Sequence, residues 1–156
     1  MRTKRVWRPA ATLFTVAVCS VSLFGAMAAH AVYNPPIHMM NGVEYMSGGV
    51  GSDEAELMET VAPRWPATFE FAVKDGKRAD FAAEVVVTVR NASGETVLSR
   101  VVADGPFMVA RLDPGHYEVE ATLGGQTLKQ QVDVLPGSPS RTTFVWPAGT
   151  SIAAHS

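Results

Sequence analysis

The sequence predicts an all-β fold, a seven-stranded antiparallel sandwich carrying one short N-terminal helix. Three observations predict it. From residue 67 onward apolar residues alternate with polar ones at a period of two, the pattern of a strand with one face buried. Turn residues break that alternation at near-regular intervals: Lys74-Asp75-Gly76-Lys77, Asn91-Ala92-Ser93-Gly94, Asp104-Gly105-Pro106, Asp113-Pro114-Gly115 and Gly124-Gly125. The strands are half polar, which excludes a parallel sheet covered on both faces.

Residues 1–31 read as a secretory leader. Arg2, Lys4, Arg5 and Arg8 form a basic start, an apolar run follows over about residues 10–28, and Ala29-His30-Ala31 gives a small-x-small cleavage site. Cys19 sits inside the run behind Val18, where a lipoprotein cysteine needs a small residue, so it reads as part of the apolar stretch. A chain cut after residue 31 has no cysteine and hence no disulfide or thiolate ligand. It also has no membrane span. Four of the thirteen Lys and Arg leave with the leader and all fifteen Asp and Glu stay, so the charge moves from −2 to about −6. Such an acidic domain without a basic cluster points away from nucleic acid and anionic lipid. The expected location is therefore outside the cytoplasm, in a periplasm or released. About 125 residues remain, enough for one domain with a sizeable core.

Residues 32–51 read as a flexible linker, with Pro35-Pro36, Gly42 and Gly48-Gly49 and no steady apolar period. A helix of about ten residues follows. Ser52 or Asp53 is the expected cap, and Asp53 with Glu56 has capping-box spacing. Leu57 and Val61 share a face with Met58 beside them, and Pro63 and Pro66 end the helix. A helix this short is marginal alone and must dock. The seven strands then span about residues 67–74, 85–90, 95–102, 107–112, 116–123, 128–134 and 141–146. Asp113-Pro114-Gly115 suits a type II turn, and Gly124-Gly125 a tight hairpin. The domain spans 52–147, and residues 148–156 read as a loose tail.

The stretch from Gly105 to Val134, GPFMVARLDPGHYEVEATLGGQTLKQQVDV, resembles the second half of a carboxypeptidase-regulatory-like domain. Leu112, Pro114, Gly115 and Tyr117 match that family's Leu-x-Pro-Gly-x-Tyr pattern. The resemblance covers about residues 48–146 and includes a glycine-rich stretch before an acidic helix, similar to small exported proteobacterial proteins. It implies a transthyretin-like (prealbumin-like) β-sandwich serving as an accessory or interaction module, with some relatives of the wider fold binding carbohydrate. The motif is structural and brings no catalytic residue with it.

The residues offer few chemical candidates. The glycines before the helix lack the lysine of a phosphate-binding loop, and Asp53, Glu54 and Glu56 occupy the helix end that would take an anion. His38-Met39-Met40, with Met46 nearby, has the thioether and imidazole chemistry that copper(I) favours, but no second such cluster follows. His116, Glu118 and Glu120 share one strand face, which a solvated surface explains without catalysis. There is no G-x-S-x-G and no H-E-x-x-H. Trp65, held between prolines, could join Tyr33, Tyr45 and Trp146 as a platform for sugar rings, although Trp146 and Phe144 fall on one strand face that reads as core. Tyr117 is placed to tie down local backbone as a tyrosine corner.

The expectation is an exported, non-enzymatic module without cofactor, working in protein–protein interaction or envelope support. Its partner would be an envelope protein, bound at a sheet edge or through the 33–46 segment, with Tyr33, Tyr45 and Trp65 as candidate contacts. The alternatives are a carbohydrate-binding module built on Trp65 with a polysaccharide ligand, and copper binding at residues 38–40.

Overall fold

A computed structural model describes residues 34–150. The leader expected at 1–31, Tyr33, and residues 151–156 of the expected tail lie outside them. Thr150, within the tail, closes a turn on the Pro147 carbonyl.

The described residues are mostly β, in two sheets with one short helix. In chain order it forms β1 (His38–Met40), β2 (Val43–Gly48), α1 (Ser52–Val61), a 3₁₀ turn (Ala62–Arg64), β3 (Ala67–Asp75), β4 (Arg78–Phe81), β5 (Val85–Asn91), β6 (Thr96–Ala103), β7 (Phe107–Ala110), β8 (Gly115–Leu123), β9 (Gln126–Val134) and β10 (Ser140–Trp146). One sheet runs β1-β2-β7-β3-β10, with β4 on β3; the other runs β6-β5-β8-β9. All seven expected strands are present. Three more, β1, β2 and β4, were not expected, so the strand count of seven is corrected to ten among the described residues.

The linker assigned to 32–51 is corrected too, because residues 38–48 form a hairpin. Met40 pairs with Val43, and Asn41 (φ 50°) and Gly42 (φ 78°) make the two-residue loop between them. That loop needs positive φ at both positions, which Asn-Gly supplies at little cost. β2 then pairs with β7, so the hairpin belongs to the sandwich.

The core lies between the two sheets. Val85, Val87 and Val89 of β5 and Val119, Ala121 and Leu123 of β8 face Phe69 and Phe71 of β3 and Phe144 and Trp146 of β10. The stiff β-branched residues suit the pleated surface on which they stand. In β6, Leu98 and Val101 both point inward although three apart. A bulge allows this: Ser99 and Arg100 oppose the single residue Thr88, and Arg100 takes φ 48° while its N–H donates to Thr88 Oγ1.

The first sheet is buried on its outer face as well. Met46, Phe107 and Val109 point away from the main core and pack with Met58, Ala62 and Trp65 of the helical segment. This is why β7 shows no alternation: Phe107 and Val109 face the helix while Met108 and Ala110 face the other sheet. The helix docks through Met58, with Ala55 and Val61 beside it, rather than through Leu57.

Two further expectations are corrected. The sandwich is not wholly antiparallel, since β10 runs parallel to β3, from Ser140 beside Ala67 to Trp146 beside Val73. After β9 the chain crosses from one sheet to the other through residues 135–139, and Ser140 N–H bonds the Pro66 carbonyl where β3 begins. β10 must then run in the direction of β3. The helix cap also differs: Gly51 (φ 83°) occupies the N-cap with no side-chain bond. Starting one residue earlier makes Glu54 the third helical residue. Its carboxylate reaches back past the N-cap to accept from the N–H of Gly49 (2.7 Å) and Val50 (3.4 Å), a contact other than the N-cap N–H that a capping box uses.

Candidate functional site

The glycine loop before α1 is already filled. Glu54 accepts the N–H groups of Gly49 and Val50 in this loop, and Asp53 and Glu54 stand in the first turn. The loop therefore seats the chain's own carboxylate.

Residues 38–40 do not converge. β1 alternation sends Met39 to one face and His38 and Met40 to the other. His38 stacks on Tyr45 with ring centroids 5.4 Å apart. Met40 packs toward the core, and its sulfur receives the Ser99 N–H at 3.2 Å. Met46 is buried under the helix.

The carboxylates of β8 are bound into ion pairs. Arg90 lies 2.8 Å from Glu120 and 3.6 Å from Glu118, and Lys129 lies 2.7 Å from Glu120. The Lys129 hydrogen bond leads in holding the Glu120 carboxyl below its ordinary value, with Arg90 adding to it. A general acid needs the opposite shift. His116 pairs with Asp133 on the neighbouring strand, and both are exposed.

The Leu-x-Pro-Gly-x-Tyr residues act as scaffold. Tyr117 OH donates to the Asp113 carbonyl at 2.7 Å, the tyrosine-corner contact. Burial, and then nearby Asp113, push its phenol pKa up. The type II turn is corrected: Gly115 is extended (φ 158°) and already begins β8. With Pro114 holding the preceding residue extended, the Tyr117 hydroxyl takes the carbonyl that a turn N–H would have taken. Leu112 is buried in the main core. Tyr117→Phe is expected to cost about 1 kcal/mol, the net worth of one such bond. Thermal denaturation reads this as a melting temperature roughly 4 °C lower, and an unchanged value would refute the corner's role.

Trp65 departs most from expectation. It is only 6% exposed, folded under the outer face with Met58 and Val109. The Arg111 guanidinium covers its ring 4.6 Å from the centroid, and Glu44 holds that guanidinium at 2.9 Å. Such a ring offers no open face to a sugar. Tyr45 is half buried against the main core, with His38 on it. The structure therefore separates Tyr45 from Trp65 as contacts.

A cleft that the residue-by-residue reading missed lies beside Trp65. It measures about 290 Å³ and is lined by Arg64, Trp65, Arg111, Leu112, Leu135 and five prolines. No carboxylate among the described residues lines it. Pro63-Arg64-Trp65-Pro66 and Leu135-Pro136-Gly137-Ser138-Pro139 form two of its walls, so paired prolines flanking arginine and leucine were the available signal. A scan against protein-family models finds no match for this chain, and a search of curated proteins finds no significant relative.

Proposed function

We propose that the chain is an exported, non-catalytic module of the transthyretin-like sandwich type that binds a partner protein at the β1 edge of its six-stranded sheet. The observation carrying this reading is the state of that edge. β1 pairs with β2 on one side and with no described strand on the other. Ile37 and Met39 stand there 60% and 67% exposed. Proteins usually blunt an open edge with charge or cover, and apolar side chains beside free backbone groups suit addition of a partner strand. Residues 38–46 of the 33–46 segment expected as a contact surface form β1, its turn and most of β2 at this edge. The ion-paired strand-face carboxylates favour a binding role over hydrolysis. Export and a periplasmic or released location rest on the leader-like residues 1–31, and the family resemblance rests on the motif around Tyr117.

The test is in-cell cross-linking of the exported protein, read by mass spectrometry, beside an Ile37→Lys/Met39→Lys variant. Exposed substitutions of this kind change stability by about 0.5 kcal/mol or less, so the variant stays folded. Recovery of the partner is expected to fall about tenfold, the equivalent of roughly 1.4 kcal/mol of binding. A partner recovered equally with both proteins would rule out the β1 edge, and a hydrolytic activity lost on changing one polar surface residue would sink the module reading.

A further inference from the structure

We infer that the cleft beside Trp65 is a docking site for an acidic, apolar segment of a partner polypeptide. Its carboxylate would lie against Arg64 and Arg111, and the neighbouring apolar side chain on the proline-lined floor. The inference rests on the interaction-module reading and names a second contact for it.

Charge complementarity selects the occupant. The chain as a whole is acidic, at −2, yet two guanidinium groups line this cleft, Arg111 paired with Glu44 beside it and Arg64 unpaired among the described residues, and no described carboxylate lines it. Arg64 is exposed and makes no ion pair with any described residue. Arg111 is held between Glu44 and the Trp65 ring, so little side-chain freedom remains to be lost on binding. A planar guanidinium fixed in this way suits a carboxylate better than a mobile ammonium would.

Size and floor narrow the choice further. At about 290 Å³ the cleft stands at the small end of ligand pockets. It takes one or two side chains rather than an oligosaccharide, which would also want the aromatic face that Arg111 covers. Five prolines make the walls stiff. Leu135, 60% exposed at the rim, leaves apolar surface for a partner side chain to cover. The site also adjoins the proposed edge. Met39 pairs with Glu44 across the hairpin, Glu44 accepts from the N–H and side chain of Arg111, and Arg111 covers Trp65.

The experiment is an amide-resonance titration of the protein as cells export it. The probes are a tetrapeptide alternating aspartate with leucine and phenylalanine, its asparagine counterpart, and acetyl-aspartate. The acidic peptide is expected to shift the Trp65 indole N–H and the Leu112 and Leu135 amides. The asparagine peptide and acetyl-aspartate should each bind at least about tenfold more weakly, a difference of roughly 1.4 kcal/mol. Arg64→Glu should abolish the shifts without altering the rest of the spectrum, and Arg111→Lys should weaken them while keeping the charge. Shifts confined to other surfaces, equal binding of the asparagine peptide, or an Arg64→Glu protein that binds normally would each overturn the assignment. Acetyl-aspartate binding as tightly as the peptide would overturn the polypeptide as occupant. If a cellular partner is captured through β1 while the peptide is silent, the cleft assignment fails and the module reading stands.

Discussion

Trp146→Ala is expected to lose about 3–5 kcal/mol of stability, the cost of emptying a fully packed tryptophan site. Trp146 is 0% exposed and stands in a row of aromatics on the inner face, 6.3 Å from Phe71 and 6.4 Å from Phe144 between ring centroids. It does two jobs. Its ring fills the space between the sheets at the end of β10, and its indole N–H donates to the Gln126 carbonyl of β9 at 3.0 Å. With Gln130, whose amide donates to the Thr143 carbonyl, it ties the edge strand of one sheet to the edge strand of the other. Against a total near 5–15 kcal/mol for a domain, the truncation leaves a protein close to unfolding, with a melting temperature lowered by roughly 10–20 °C. Trp146→Phe separates the two jobs, since it keeps most of the ring and loses the donor. It should cost about 1–2 kcal/mol, part cavity and part an unpaired carbonyl. Urea denaturation of both variants checks this, and a loss below 1 kcal/mol in Trp146→Ala would mean that the two sheets do not close on this residue.

What the sequence showed and hid follows from burial. Strands covered on one face, such as β5 and β8, alternate along their length and are legible from Val85, Val87, Val89 and from Val119, Ala121, Leu123. β4 is exposed at all four positions, so Arg78–Phe81 carries no pattern. β7 is buried at all four and carries none either; its unbroken Phe-Met-Val-Ala was the local sign that something covers the outer face. The β1–β2 hairpin was announced by Asn41-Gly42 but masked by prolines before it and glycines after it. The parallel pairing of β10 with β3 is fixed by where the crossover lands, 73 positions from Ala67 to Ser140, which no local pattern encodes.

The candidate site is less legible for the same reason. The cleft draws on residues 63–66, on Arg111, Leu112 and Pro114, and on residues 134–139, three segments that meet only once the sheets are assembled. Trp65 between two prolines looks like a presented aromatic, and its burial comes from packing with Met58, Phe107 and Val109, while Arg111, just after β7, covers its ring and is held by Glu44 of β2. Tyr117 was readable because its partner, Asp113, is four residues away.

Gly105→Ala is expected to cost about 3 kcal/mol, at the upper end for overpacking because backbone rather than a flexible side chain blocks the new methyl. Gly105 lies in the turn between β6 and β7, where a Cβ would overlap the carbonyl and Cα of Gly48. Gly48 is the last residue of β2 and pairs with Phe107. It is itself hemmed in by the Glu54 carboxylate and Pro35 on its other side. The methyl therefore pushes β2 away from β7 and transmits the strain to the Glu54 cap and the β1–β2 hairpin. Gly94→Ala is the control. It sits in open space at φ 80°, so its cost is the conformational one alone, about 1–2 kcal/mol. Hydrogen exchange should place the Gly105→Ala loss in β1, β2 and the start of α1 and spare β8 and β9. Because β1 is the proposed docking edge, partner capture should fall with it while Gly94→Ala leaves capture intact. Uniform exchange across both sheets would show that the hairpin is no separable element, and the local coupling of the Gly48–Gly105 contact to the edge would have to be abandoned.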